Sequence, residues 1–180
     1  ERLHENIRKT KAEFPLRLHS NGTIYEEDYP DVTVIDHLLG QDEIIALHQT
    51  CDCFVLLHRG EGFGLPIVEA MACGTPVIAT NFYACQDYLT PCNSYPVTFH
   101  LEPVHSMSGF PWYDGSQYWA APHIVDAIKH MREVYANTRA ARQKGREGRR
   151  TIEQLYSCET IGRRFTDAIR AFIARHGRHN

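Results

Sequence analysis

His58-Arg59-Gly60-Glu61-Gly62-Phe63-Gly64-Leu65-Pro66-Ile67-Val68-Glu69-Ala70-Met71-Ala72-Cys73-Gly74-Thr75-Pro76-Val77-Ile78-Ala79-Thr80 is the stretch on which the fold turns. Just before it, Cys53-Phe54-Val55-Leu56-Leu57 is an apolar run of strand length. The residues after Gly64 read as a helix through Cys73. Gly74 can end that helix in the left-handed conformation that only glycine adopts cheaply, and Pro76 forbids its continuation. Val77 to Thr80 is a second short β-branched strand. Strand, glycine loop, helix, stop and strand make a βαβ unit, with parallel strands and a right-handed crossover.

The loop then falls at the carboxyl end of the first strand, where ligands bind in open α/β sheets. Gly60, Gly62 and Gly64 carry no side chains, so backbone N–H groups can come close to a ligand. Pro66 suits the first helical position, where a missing N–H costs nothing. The helix N-terminus offers N–H donors and a positive dipole end, which favour phosphate. Glu61 in the loop and Glu69 in the helix are poor phosphate partners but good acceptors for hydroxyl groups. The ligand suggested is a phosphate with polyols on both sides, a nucleotide sugar. The plainer alternative is that the glycines serve only the turn and Glu69 only the helix dipole.

The whole string closely resembles the signature of retaining nucleotide-sugar glycosyltransferases of the GT-B fold, family four: Glu-x7-Glu followed by Ala-Met-Ala-x-Gly-x-Pro-Val. The resemblance runs from about residue 31 to residue 174. It implies a Rossmann-like, three-layer α/β/α domain with a mainly parallel sheet. That domain, over residues 1–180, would be the C-terminal, donor-binding half of a GT-B fold, with the N-terminal acceptor domain absent from this chain.

The roles that follow are those the resemblance implies. Glu61 is the catalytic residue: it contacts hydroxyls of the donor sugar and orients the anomeric carbon, with a nucleophilic role as the less usual reading. Glu69 accepts hydrogen bonds from the ribose. Backbone N–H groups of Gly62, Phe63, Gly64 and Leu65 hold the sugar and the distal phosphate. Residues 36–38, and so His37 and Leu38, lie where such enzymes meet the base. Arg59 is a candidate cation for the diphosphate, the alternative being a surface arginine paired with a nearby acid. The donor implied is a UDP- or GDP-sugar, and the reaction is hexosyl transfer with retention to a glycan or other acceptor. The acceptor is reached through the missing domain, and no cofactor or metal is needed. Two departures stand out. The family's first strand and its Arg/Lys pair have no match before residue 15, and Tyr83-Ala84-Cys85-Gln86-Asp87 stands where Gly-Gly-x-x-Glu is usual. A sugar phosphorylase of the same fold and a non-catalytic nucleotide-sugar-binding module remain open alternatives.

Composition agrees with a globular α/β domain: 180 residues, 43% hydrophobic and 23% charged, are enough for one proper core. A net charge of −3 gives no general affinity for nucleic acid. No apolar run approaches the roughly 20 residues of a membrane span. The six cysteines form no Cys-x2-Cys pair, and three sit in or beside expected elements. Buried free thiols are therefore expected, as in a reducing cytosol. The location implied is cytoplasmic, with any attachment to the inner membrane surface left to the missing domain. Glu1 is not expected to be the natural start, so a leader stays open. The 11 histidines are scattered without ligand spacing, so no structural metal is expected.

Elsewhere the pattern predicts a helix over 2–13, strands over 16–19 and 32–35, and a helix from Gln41 to about Thr50. A loop with a short helix should fill 81–89. Tyr95 to Leu101 alternates like an edge strand. An aromatic loop should run from Phe110 to Trp119, packed on the domain itself. Helix resumes after Pro122, with a basic, solvated helix over Arg139–Arg150. A last helix begins near Ser157, with Ile161, Phe165, Ile169, Phe172 and Ile173 on one side, and ends in a frayed tail from Arg175.

Overall fold

The computed structural model describes residues 35, 37–107 and 110–176. The chain divides into two units, Glu1–Leu39 and Gly40–Asn180. Of the first, only Ile35 and residues 37–39 are described, in irregular structure. The expected helix 2–13 and the strand 16–19 lie outside the described residues, as does strand 32–35 apart from Ile35.

The second unit runs α1 (Gln41–Thr50), β1 (Phe54–Leu56), α2 (Leu65–Ala72), β2 (Val77–Thr80), a 3-10 helix (Tyr83–Asp87), β3 (Tyr95–Val97), β4 (Phe99–Met107), β5 (Phe110–Pro122), α3 (Ile124–Ala136), α4 (Thr138–Tyr156) and α5 (Cys158–His176). Strands β1, β2 and β3 form a parallel sheet in that order, with Val55 opposite Ile78 and Ala79 opposite Pro96. The βαβ unit is therefore in place, and Gly74 ends α2 at φ 78°. Its N–H reaches Met71 O at 2.9 Å.

Alternation along β2 explains the layers. Val77 and Ala79 turn to one face, into a core with Ile67, Ala70 and Met71 of α2 and Ile152 of α4. Ile78 turns to the other, against Tyr95, Val97, Ala127 and Val134 of α3, and Ala141. All four β2 side chains are buried, as a parallel strand covered on both faces requires. Fully burying a side chain such as Ile67 contributes roughly 1.5–3 kcal/mol. The architecture is a Rossmann-like α/β domain with helices on both faces of a parallel sheet.

The basic face of helix α4 is exposed as expected, while its other face is buried. Ala141, Gly145, Gly148 and Ile152 recur at helical spacing and are buried. A Cβ on Gly145 would lie 2.1 Å from Gly74 O, so the absent side chain lets two backbones touch. The basic residues of α4 bind within the domain. Lys144 donates to Pro91 O and to Ser94 O, Arg149 to Glu153 and Arg150 to Glu147. Helix α5 extends through Arg175 and His176, further than the expected frayed end, and none of its side chains is buried.

The region after β3 departs most from expectation. The edge strand stops at Val97, and the alternation from Phe99 belongs to a second, antiparallel sheet. The aromatic stretch is not a loop but β5, paired with β4 from Phe99 opposite Pro122 outward. Register shifts near Pro103 and His105 absorb the residues that disfavour a strand. Gly115, at φ 94°, sits where a Cβ would meet the His105 ring at 2.9 Å. Nor do all these aromatics pack inward: Trp112 and Tyr118 are exposed, while Trp119 is half-buried.

Among the described residues all six cysteines are free, but only Cys85 is buried; Cys51, Cys92 and Cys158 are exposed. No helix among the described residues is long and apolar enough to cross a membrane.

Candidate functional site

The glycine loop joins β1 to α2, and the structure separates its glycines by role. Gly64 is the N-cap of α2 at φ 80°, and a Cβ there would lie 2.6 Å from the Tyr88 hydroxyl and 3.3 Å from Cys85 Sγ. That glycine is required by backbone conformation and by packing. Gly60 and Gly62 differ: among the described residues a Cβ at either would meet nothing within 4 Å. Packing within the described residues gives no reason for glycine there and leaves the space beside the backbone open. Pro66 is the second residue of α2, where its missing N–H is equally harmless.

The N–H groups of Gly62, Phe63, Gly64 and Leu65 find no acceptor among the described residues. The first bonds of α2 instead run from Ile67 N and Val68 N to Gly64 O, each 3.0 Å. The loop therefore presents a row of donors at a positive helix end.

Behind the loop lies a buried support that the sequence did not reveal. The Tyr88 hydroxyl donates its proton to Phe63 O at 2.7 Å. The Phe63 ring packs edge-on against Tyr156 at 5.1 Å and tilted against Tyr88 at 5.9 Å. Burial, and then the contact with Cys85, push the Tyr88 phenol far above its ordinary range, so it remains a donor at any working pH. Cys85 Sγ lies 3.5 Å from His58 Nε2, and both side chains are buried. Burial raises the Cys85 thiol and lowers the His58 imidazole, the nearby Glu61 charge only partly opposing the latter. The pair rests as neutral thiol and neutral imidazole. Tyr88 is 25 residues from Phe63, and nothing in the chain marks that partnership.

The two glutamates occupy different surroundings. Glu61 is half-buried in the loop, close enough to His58, Cys85 and Tyr88 to bias their titration. Glu69 lines a cleft of about 280 Å3 between α1 and α2, with Gln41, Ile44, His48 and Arg149. Neither carboxylate makes a hydrogen bond or ion pair among the described residues. His37 and Leu38 lie in the first unit.

Arg59 is partnered. Its Nη1 donates to Glu102 Oε2 at 2.7 Å, its guanidinium lies 4.9 Å from the Trp119 ring, and its carbonyl accepts from Ala120 N at 2.8 Å. The Arg59 bond is the main reason the Glu102 carboxyl is held below its ordinary range. Its acid comes from β4, 43 residues away. Extending the alternation of Tyr95 to Leu101 by one residue would have reached Glu102. Beyond Glu102 the polar contacts continue through His100, His123, Thr98 and Asp126 along the base of the β4–β5 hairpin.

Residues 28–95 match the family described as glycosyl transferases group 1. The chain is similar to an uncharacterized glycosyltransferase of Methanocaldococcus jannaschii, 37% identical over 76 residues, which are 38% of this chain and 22% of that protein. It is similar also to the serotype-specific mannosyltransferase WbdA of Escherichia coli, 46% identical over 43 residues, 24% of this chain and 5% of that one. A third relative is the N,N'-diacetylbacillosaminyl-diphospho-undecaprenol alpha-1,3-N-acetylgalactosaminyltransferase of Campylobacter jejuni, 37% identical over 55 residues, 30% of this chain and 15% of that one. The chain thus spans well under a third of the length of these curated relatives. The family match and the relatives' names agree on glycosyl transfer, and the family match, over residues 28–95, carries the entire glycine loop.

Proposed function

We propose that this chain is the donor-binding half of a retaining glycosyltransferase of the GT-B type, taking a UDP- or GDP-sugar and passing a hexosyl group to a glycan. The observation that carries the reading is the glycine loop. Among the described residues, Gly60 and Gly62 leave open space where packing asks for none, beside four N–H donors that find no acceptor at the N-terminus of α2. The diphosphate sits on those donors, which stabilise the charge that grows on it as the sugar leaves. Glu61 holds hydroxyls of the donor sugar, and Glu69 those of the ribose. Arg59, already fixed by Glu102 and Trp119, offers its charge to the diphosphate from a set position. The residues that provide for charge are the helix end and this arginine, so the reading needs no metal. The acceptor binds mainly through the half of the protein that precedes this domain.

The test is calorimetric titration of the 180-residue chain with UDP-, GDP- and ADP-sugars. One of them should bind, and the bare nucleoside diphosphate should bind comparably. If none binds at millimolar concentration, the donor reading fails.

A further inference from the structure

Beside the glycine loop, on the far side of the 3-10 helix, lies a groove of about 520 Å3 lined by Phe82, Tyr83, Gln86, Phe99, Leu101 and Tyr118. One side of that 3-10 helix, through Cys85, together with the following Tyr88, faces Gly64. The other side forms the groove wall. A single turn of backbone therefore separates the groove from the loop. Its opposite wall is the β4–β5 hairpin, which lies wholly outside the matched segment 28–95.

Three features set this groove apart from ordinary surface. Three of its large apolar side chains are exposed, Tyr83 by 67%, Tyr118 by 58% and Leu101 by 52%, over half-buried Phe82 and Phe99. Contiguous exposed aromatics mark a binding surface. Second, Tyr83 is held at φ 56°, the one positive-φ non-glycine residue among those described. A left-handed tyrosine is a strained backbone, and such strain persists at sites that use it. Its ring is fixed edge-on against Phe82 at 4.5 Å, and Phe82 against Phe99 at 4.9 Å. Third, no charged side chain lines the groove; Gln86 supplies its polar group, with its amide nitrogen anchored on Asn81 O at 3.1 Å.

We propose that this groove is an acceptor-sugar subsite, in which a neutral pyranose ring of the glycan stacks on the aromatic wall formed jointly by the 3-10 helix and the hairpin. Aromatic faces carry negative charge density and suit the polarised C–H groups on one face of a sugar, while an amide takes the hydroxyls. No cation among the described residues lines the groove to pair with a diphosphate, and the position one turn from the donor loop suits the ring that receives the transferred sugar. The proposal rests on the donor reading for the word acceptor, but not for the groove's affinity for a glycan.

The experiment is saturation-transfer NMR on the 180-residue chain, with α-1,3-mannobiose, N,N'-diacetylchitobiose and maltotriose as probes, each with and without saturating UDP or GDP. At least one probe should bind. Tyr118→Ala and Tyr83→Ala should each weaken it about tenfold or more. Tyr118→Phe, which keeps the ring, should stay within about threefold of the parent. Nucleotide affinity should be unchanged in Tyr118→Ala, which also shows that the variant is folded, and sugar and nucleotide should bind together. The inference is overturned if no probe binds, if Tyr118→Ala binds the probe as the parent does, or if nucleotide sugar displaces it, which would make the groove part of the donor pocket. Probe binding that depends on Tyr118 in a chain that binds no nucleotide would sink the donor reading and leave the glycan groove standing.

Discussion

At the scale of single residues, the three loop glycines should respond differently to the same change. Gly64→Ala forces a Cβ onto the Tyr88 hydroxyl at a left-handed φ and should cost about 2–3 kcal/mol. Urea unfolding would show that loss. Gly62→Ala meets no protein atom, so its unfolding midpoint should match the parent while titration shows weakened nucleotide-sugar binding. An equal loss of stability in both would mean that Gly62 serves only the turn. His58 makes a second prediction at this scale. Burial lowers its pKa below the ordinary 6.5, so the unfolded chain takes up the proton first as pH falls. The stability linked to His58 is therefore intact above pH 6.5 and lost progressively below it. Comparing urea midpoints at pH 7.5 and 5.5 should show a smaller drop in His58→Gln than in the parent. The turn and the helix cap at this scale were legible from the chain, because glycine spacing and Pro66 act locally. Cys85 and Tyr88 were not, since their roles exist only once the 3-10 helix folds back under the loop.

At the scale of elements, the sequence was readable where local rules and burial agree. The βαβ unit followed from apolar runs punctuated by glycine and proline, and each of its elements lies within about a residue of its expected place. Reading failed where tertiary context supplies the order. Pro103, Pro111 and Gly115 read as loop formers, yet bulges and a left-handed glycine accommodate Pro103 and Gly115 within a paired hairpin. Arg146, Arg149 and Arg150 read as a solvated face, which hid the small residues on the opposite side of α4. Those small residues lead to a third prediction. Gly145→Ala, helpful to helix propensity in isolation, should destabilise the domain by about 3 kcal/mol, because the methyl group would push α4 away from Gly74. A raised thermal midpoint in that variant would show that α4 does not press on the end of α2.

At the scale of the whole molecule, the proposed function makes the domain one side of a cleft whose other side the reaction requires. In the protein that carries both halves, Glu61→Gln should leave nucleotide affinity nearly unchanged and lower turnover by roughly 10²-fold, since positioning of the anomeric carbon acts mainly in the transition state. The 180-residue chain alone should transfer no sugar in either form. Unchanged turnover in the full-length variant would remove Glu61 from the chemistry. The β4–β5 hairpin has a different standing in the molecule. Its two ends meet at one hydrogen bond, His123 N to Thr98 O at 2.8 Å; it touches the glycine loop through Arg59, which bonds Glu102 and Ala120 N, and none of its residues belongs to either core cluster. It is thus a cassette. Replacing residues 99–122 with a short Gly-Ser bridge should leave a domain that still unfolds cooperatively in urea. On the proposed reading, a different hairpin grafted at the same two ends would change the glycan recognised, provided that it keeps an acid and a ring to hold Arg59.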